Sequence, residues 1–215
     1  AVVHGGEHYK TFIRLFKESY DEGLISEERI NDAVRRILRI KFRSGLMQSP
    51  MADRSLLDKA GSLEHREIAR KAVQKSLVIL KNDNMLPLSK DKNYLVCGSG
   101  ANDIGKQCGG WTIEWQGKLG EITEGTTIYE GITEQASATL SLDGQTDISH
   151  DIAIVVIGED PYTEMKGDSD SLFLSDKDKQ TIANIQAQNV PYVIVLITGR
   201  PLIVTQEINE SDAFV

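Results

Sequence analysis

The sequence predicts an α/β fold in which helices cover both faces of a largely parallel β-sheet. Buried-type apolar runs occur at 94–97, 152–157 and 192–197, and all are far shorter than the roughly 20 residues that span a bilayer. Helical patterns separate these runs, and continuous apolar strands that alternate with helices are typical of a parallel sheet. A chain of 215 residues that is 40% hydrophobic can also bury a sizeable core.

Two helices are predicted ahead of the sheet, over residues 9–45. Ser26 is a good N-cap for the second helix, and Glu27 and Glu28 stand in its first turn, where the helix dipole favours negative charge. Apolar residues then recur at helical spacing until Gly45 ends the run. Two helices cannot bury such an apolar stripe by themselves, so we expect it to face a partner outside this sequence.

A domain boundary is predicted between these helices and the sheet. Hydrophobic periodicity vanishes from residue 46 onward, and Pro50 and Gly61 stand among polar residues, which is typical of an interdomain linker. The predicted organisation has three parts: terminal helices at 1–45, a linker at 46–62 and a sheet domain at 63–215.

Further elements are predicted inside the sheet domain. A helix over 63–75 leads into an apolar, partly β-branched run at 76–80, which is predicted to form the first strand. Helices are also predicted over 127–136 and 176–188. The last of them follows Ser175, which has an acidic residue three positions further on, the spacing of a capping box.

The charge of the chain limits its partners. Its formal net charge is −8, whereas nucleic acids and anionic membranes are held mainly through Lys and Arg. We therefore expect neither partner, and a neutral substrate fits better.

Cys97 and Cys108 show no metal-like pairing with histidine and are too few for a dense disulfide framework. No metal or other cofactor is predicted.

A long acidic loop follows the predicted strand that ends at Ile157. Residues 158–170 contain five carboxylates together with Tyr162 and a lysine. Carboxylates can act as general acids or bases, and glycoside hydrolysis uses a pair of them. Two alternatives stay open at this point. One is a solvated acidic surface. The other is a calcium site on Asp168 and Asp170, although the glycine and glutamate of an EF-hand loop are missing.

A second unusual loop, after the first of the three apolar runs, contains both tryptophans of the chain. Trp111 and Trp115 follow a pair of glycines, and an indole offers a flat face that can stack on a sugar ring. Core packing is the alternative interpretation for each of them. Gly98 and Gly100 also fit the start of a dinucleotide-binding fingerprint, but its third glycine position is Asp103.

Five segments, in order along the chain, resemble signatures of the family 3 glycoside hydrolases, especially the β-glucan exohydrolases of plants and bacteria. The segment at 33–42 is similar to the barrel-closing helix of that family, and 65–82 is similar to the helix and strand that open its second domain. The later signatures are matched at 107–117, 158–168 and 198–201. The resemblance therefore covers nearly the whole chain.

The resemblance implies a barrel domain followed by a six-stranded α/β sandwich, with the active site in the cleft between them. Residues 1–45 would be the last helices of a truncated (β/α) barrel, and 63–215 an incomplete sandwich whose final elements lie beyond Val215. The barrel part that carries the aspartate nucleophile would lie outside this sequence. We therefore expect this chain alone to be inactive.

The resemblance also implies roles for individual residues. Glu164 matches the catalytic acid/base of the family, and Trp115 matches the aromatic residue that helps clamp the sugar beside the scissile bond. Trp111 is a second candidate for substrate contact, or else a structural residue. Lys166 and Asp168 are expected to tune or orient Glu164, because neighbouring charges change how readily a carboxyl group releases its proton.

By the same resemblance, the complete protein would be a retaining, exo-acting β-glucosidase or β-glucan exohydrolase that releases glucose from non-reducing ends. Its substrate would be a β-glucoside or β-glucan oligosaccharide, and its location secreted, periplasmic or cell-wall associated. Arg200 is expected to be structural, through a buried ion pair. The alternative from another class is a non-catalytic carbohydrate-binding or scaffolding module. A dehydrogenase half is a third interpretation, which the incomplete dinucleotide fingerprint disfavours.

Overall fold

The computed structural model describes residues 8–215. The helices of this range are α1 (His8–Asp21), α2 (Glu27–Arg43), α3 (Leu63–Ser76), α4 (Ile104–Cys108), α5 (Ile128–Thr133), α6 (Asp176–Gln186) and α7 (Thr205–Glu210), with a 3-10 helix at Arg54–Lys59. The strands are β1 (Lys81–Asn82), β2 (Asn93–Cys97), β3 (Ser137–Ser141), β4 (Ile152–Gly158), β5 (Tyr192–Ile197) and β6 (Ala213–Phe214). The described chain divides into two compact units, one up to Lys71 and the other from Ala72.

The first unit contains α1 and α2, which lie where the sequence predicts two helices. α2 begins after Ser26, whose Oγ accepts a hydrogen bond from the backbone N–H of Arg29 at 3.2 Å. No residue of either helix is buried. Ile37, Ile40 and Phe42 of α2 remain 57–61% exposed. The apolar side of this helix is therefore open to solvent.

The second unit is built on a sheet. In the described chain it has six strands in the order β1-β6-β5-β4-β2-β3. The pairs β2–β3, β2–β4, β4–β5 and β5–β6 are parallel, and only β1 runs antiparallel, against β6. The prediction of a largely parallel sheet is confirmed. Strands β2, β4 and β5 lie within one residue of the three predicted apolar runs.

Two apolar clusters, one on each face of the sheet, form the core. The first contains Leu95, Val155 and Ile194 and includes Ile185 from α6, with Ile208 from α7 packed against it. The second contains the alternate residues of the same strands, with α5 packed against it. Because successive side chains of a strand point to opposite faces, the two clusters place helices on both faces, as predicted.

The prediction of a strand at 76–80 is wrong. Helix α3 continues to Ser76, and the four residues from Leu77 to Leu80 form no regular strand and are 56–63% exposed. The backbone N–H of Leu80 donates to the carbonyl of Phe214 at 2.8 Å, and the ladder then continues only over β1. A β-branched run at a sheet edge has one strand neighbour at most, so its local preference is not enough to make it a strand.

The carboxyl ends of the parallel strands share one edge of the sheet. β2 lies between β3 and β4, so the chain leaves β2 to one side and returns to the other side for β4. Such a reversal of strand order opens a crevice outside the carboxyl ends of the strands, where ligands of open α/β sheets gather. The loops after β2, β4 and β5 all begin at this edge.

Within residues 8–215 no helix combines the length and apolar character of a membrane span.

Candidate active site

The acidic loop leaves the sheet at Gly158, the last residue of β4. This glycine has φ +139°, and a Cβ there would collide with the carbonyl oxygen of Ile197 on the neighbouring strand. Only glycine allows the chain to turn away while staying this close to β5. The backbone N–H of Glu159 then donates to the same carbonyl at 3.0 Å, so the start of the loop is fixed to β5.

A partly buried polar network holds the first half of this loop. Arg200 Nε lies 3.0 Å from Glu159 Oε1 and donates to Tyr162 Oη at 2.7 Å. Tyr162 Oη in turn donates to Glu159 Oε2 at 2.9 Å, and Thr198 Oγ1 donates to the same oxygen at 2.7 Å. The side chains of Arg200 and Glu159 are only 18% and 22% exposed. Arg200 thus forms the ion pair that the sequence led us to expect.

The ring of Tyr162 fills a narrow slot. The guanidinium carbon of Arg200 lies 4.2 Å from the ring centroid, within the range of a cation–π contact. A Cβ at Gly199 would stand 2.7 Å from Tyr162 Oη, and one at Gly167 would collide with the ring itself. Burial raises the pKa of the Tyr162 hydroxyl, so at neutral pH it remains a hydrogen-bond donor to Glu159.

A second ion pair holds the same loop from the β2 side. Lys106 of α4 is 3% exposed, and its Nζ lies 2.8 Å from Oδ1 of the exposed Asp160. Asp103 caps α4: its Oδ1 accepts from the backbone N–H groups of Lys106 and Gly120, both at 2.8 Å. The carboxylate that breaks the dinucleotide fingerprint is therefore a helix cap. Sequence reasoning missed Lys106, because a lone lysine in a short polar helix has no distinctive pattern.

Glu164 lies beyond the network, at the start of an exposed turn. The turn is closed by the N–H of Gly167, which donates to the Thr163 carbonyl at 2.9 Å, and Met165 within it has φ +49°. The side chain of Glu164 is exposed, and among residues 8–215 it makes no hydrogen bond or ion pair. Lys166 and Asp168 are also exposed; Lys166 lies in the same turn, and Asp168 directly follows it. In the described chain neither of them is joined to Glu164 by a side-chain contact.

The tryptophan loop packs directly on the acidic loop. The backbone N–H of Thr163 donates to Gln116 Oε1 at 3.0 Å, although the two residues are 47 positions apart. A Cβ at Gly117 would stand 2.7 Å from Pro161 Cβ, and one at Gly110 would collide with the Tyr162 carbonyl. The glycines of this loop therefore allow the close contact. Gln116 also escaped the sequence reasoning, since nothing in the pattern separates it from a surface glutamine.

Both tryptophans are exposed, Trp111 by 67% and Trp115 by 48%. Their ring centroids are 6.3 Å apart with planes inclined at 49°, and the backbone N–H of Trp111 donates to the Trp115 carbonyl at 3.0 Å. The core-packing alternative is therefore excluded for both. Trp115 adjoins Gln116, and Glu164 adjoins Thr163. The hydrogen bond from Thr163 N–H to Gln116 Oε1 therefore links the neighbours of two predicted site residues.

A cavity of about 790 Å³ lies at the crevice between β2 and β4. Its lining includes Ser99, Lys106 and Tyr162, together with Asp178 from α6. Asp178 is 3% exposed and accepts hydrogen bonds from Ser99 Oγ at 3.2 Å and Ser175 Oγ at 2.8 Å. Glu164 and the tryptophans do not line this cavity. The acidic loop thus has its fixed half beside the cavity and its turn, with Glu164, beyond it.

Relatives of known sequence resemble this chain over most of its length. A lysosomal β-glucosidase of Dictyostelium discoideum is 29% identical over 95% of the chain, and a probable β-D-xylosidase 6 of Arabidopsis thaliana is 27% identical over 90%. The chain spans only 28% and 27% of these two proteins. It is therefore similar to roughly a quarter of each relative.

Solved structures share the fold. A mutant exo-1,3/1,4-β-glucanase from a Pseudoalteromonas species matches with a TM-score of 0.88 and 41% identity, covering 96% of this chain and 36% of that one. A mutant β-glucosidase from Listeria innocua in complex with laminaribiose matches with a TM-score of 0.80 and 26% identity, covering 92% and 29%. The model of the glycosyl hydrolase family 3 C-terminal domain matches residues 77–215. The chain therefore belongs to glycosyl hydrolase family 3.

Proposed function

We propose that this chain supplies the catalytic acid/base, Glu164, and one wall of the sugar clamp, Trp115, to a retaining, exo-acting β-glucosidase or β-glucan exohydrolase. The names of its relatives support the reaction and the substrate class: they are β-glucosidases, xylosidases and an exo-1,3/1,4-β-glucanase. One related β-glucosidase is in complex with laminaribiose. A β-glucoside or β-glucan oligosaccharide is the substrate that this proposal assigns.

One observation carries the proposal. The hydrogen bond from Thr163 N–H to Gln116 Oε1 joins the acidic loop to the tryptophan loop at the carboxyl edge of the sheet. The exposed carboxylate of Glu164 directly follows Thr163, and the exposed indole of Trp115 directly precedes Gln116. A proton donor and a flat apolar surface beside it are what an enzyme needs at a scissile glycosidic bond.

The chemistry requires a second carboxyl group. In a retaining glycosidase the acid protonates the leaving oxygen while a nucleophile about 5–5.5 Å away attacks the sugar, and the acid then acts as base toward water. We propose that this nucleophile stands on a barrel domain outside residues 1–215, of which 1–45 are the last helices. Residues 46–62 would then be the linker and 63–215 the sandwich domain.

The remaining predicted residues take secondary roles in this proposal. Trp111 would add a second apolar surface for the substrate, since it is more exposed than Trp115. Lys166 lies in the turn of Glu164 and Asp168 directly follows it. Both would act on Glu164 once substrate and barrel exclude water, because charges interact more strongly in a medium of low dielectric constant.

The test is the response of Glu164→Ala to leaving-group quality in the complete enzyme. We expect kcat/KM for cellobiose to fall about 100- to 10,000-fold, the usual contribution of a general acid, while kcat/KM for a dinitrophenyl glucoside is nearly unchanged, because that leaving group needs no proton. Asp170→Ala, in the same loop, is the matched control and should leave both values unchanged. If Asp168→Ala produces this signature instead, the acid is Asp168. Sugar binding without any turnover would favour the non-catalytic module.

A further inference from the structure

Glu164 has no side-chain partner of its own to hold it in place. Within residues 8–215 its carboxylate makes no hydrogen bond and no ion pair. A general acid must nevertheless meet the leaving oxygen within hydrogen-bond reach. Its position in the protein is therefore set by the backbone of the loop that carries it, and by the groups that fix that backbone.

In the part of the loop ahead of Glu164, one side chain contacts two separate residues. Arg200 Nε reaches both Glu159 Oε1, at 3.0 Å, and Tyr162 Oη, at 2.7 Å. Its guanidinium carbon also lies 4.2 Å from the Tyr162 ring centroid. Arg200 thus contacts a residue at the start of the loop and another just before the catalytic turn. Lysine could replace these contacts only in part, since it carries the charge but lacks the planar, delocalised group that stacks on an aromatic ring.

The fixed segment leads directly into the turn of Glu164. Thr163, directly after Tyr162, is 6% exposed and its backbone forms bonds on both sides: its N–H donates to Gln116 and its carbonyl accepts from Gly167. Gly167, which closes the turn, packs against the Tyr162 ring so closely that no side chain would fit. The residue that Arg200 holds is therefore next in the chain to Thr163 at the start of the turn, and its ring packs against Gly167 at the end of the turn.

We propose that Arg200 is a positioning residue for the acid/base Glu164, acting through Tyr162 and Glu159. This inference rests on the proposed function of Glu164. Without Arg200, Glu159 and Tyr162 lose their shared cationic partner, the ring is free to shift, and the turn of Glu164 shifts with it. Arg200 itself stays 18% exposed in its side chain and does not act on the substrate in this role.

The experiment compares two substrates in the complete enzyme: cellobiose, which needs the acid, and dinitrophenyl glucoside, which does not. The ratio of their kcat/KM values is independent of how much enzyme is folded, so simple destabilisation leaves it unchanged. For Arg200→Met we expect the ratio of cellobiose to dinitrophenyl glucoside to fall about 100-fold, the cost of misplacing a reacting group by about 1 Å. Arg200→Lys should restore the ratio only in part.

Tyr162→Phe and Lys81→Met complete the set. Tyr162→Phe keeps the ring and removes the hydroxyl, so it should lower the ratio in the same direction but less, and it provides a result even if Arg200→Met fails to fold. Lys81 is a matched control: its side chain is 22% exposed and Nζ donates to the Asn209 carbonyl at 2.9 Å, far from the acidic loop in the sheet order. Its loss should lower stability and leave the ratio unchanged.

Glu164→Gln separates the two proposals. If Glu164→Gln lowers the ratio while Arg200→Met and Tyr162→Phe reduce both kcat/KM values equally, the acid is assigned correctly and the positioning role is overturned. If Glu164→Gln leaves the ratio unchanged, the proposed function itself fails, and the role of Arg200 fails with it.

Discussion

Glycine at position 199 illustrates how single residues shape the candidate site. Its missing side chain leaves room for the Tyr162 hydroxyl, which donates to Glu159. The signature Thr-Gly-Arg-Pro therefore has two separate uses: the glycine makes space for the tyrosine, and Arg200 binds it. Both uses depend on Tyr162, which lies nearly 40 positions away in the sequence.

A substitution at this glycine tests the slot directly. In Gly199→Ala the new Cβ would stand 2.7 Å from Tyr162 Oη, so the ring must move, and we expect a loss of about 1–3 kcal/mol in the free energy of unfolding of this chain. Gly131→Ala in α5 is the matched control, because its Cβ would meet nothing closer than 3.8 Å. It should stabilise the helix by about 0.5–1 kcal/mol. Equal urea midpoints for Gly199→Ala and the wild type would show that the slot is not tight.

At the scale of elements, the continuous apolar strands were predictable, whereas the edge strand β3 and the shortest elements were not. The runs at 152–157 and 192–197 are continuous and apolar, since both faces of a parallel strand are covered. β3 lies at the edge of the sheet and has the sequence Ser-Ala-Thr-Leu-Ser, whose residues are exposed or only partly buried. It was missed because such a strand has no continuous apolar run. β6 has two residues and α4 five, too few for any periodicity to appear.

The candidate site divides in the same way. Glu164 and Trp115 were named because their segments resemble signatures of a known family, and spacing alone would have left them as charged and aromatic loop residues. An ion pair of Arg200 was expected, but its partners Glu159 and Tyr162 could not be identified from the sequence, because the network joins the ends of two different strands. Pairings of this kind follow from the topology of the sheet, which brings β4 and β5 side by side.

Strand β2, which lies between β4 and β3, provides a test at the element scale. Cys97 at its end is fully buried, and burial raises the pKa of its thiol to about 12, whereas Cys108 is exposed. Because the thiolate is the reactive form, we expect a thiol reagent to label Cys108 in the native protein and Cys97 only when the sheet unfolds. Counting labelled thiols by mass spectrometry at increasing urea checks this. Fast native labelling of Cys97 would mean that β2 opens locally.

At the scale of the whole molecule, the sandwich alone lacks half of the proposed chemistry. A retaining glycosidase needs two carboxyl groups about 5–5.5 Å apart, and we have assigned only one to this chain. The purified chain is therefore expected to release no product from an aryl β-glucoside, as followed by the absorbance of the freed phenol. If the purified chain turned over the substrate, and its Glu164→Gln variant did so equally well, both the placement of the nucleophile outside this chain and the role of Glu164 would be contradicted.

The most direct measurement of the central claim is the product that the complete Glu164→Ala enzyme forms in the presence of azide. Without its base, this variant should accumulate the glycosyl-enzyme when given a dinitrophenyl glucoside, and azide, which needs no base, should release it. Two successive inversions at the anomeric carbon predict β-glucosyl azide, identified by NMR, together with a faster turnover. α-Glucosyl azide, or no acceleration by azide, would contradict the assignment of Glu164 as the acid/base.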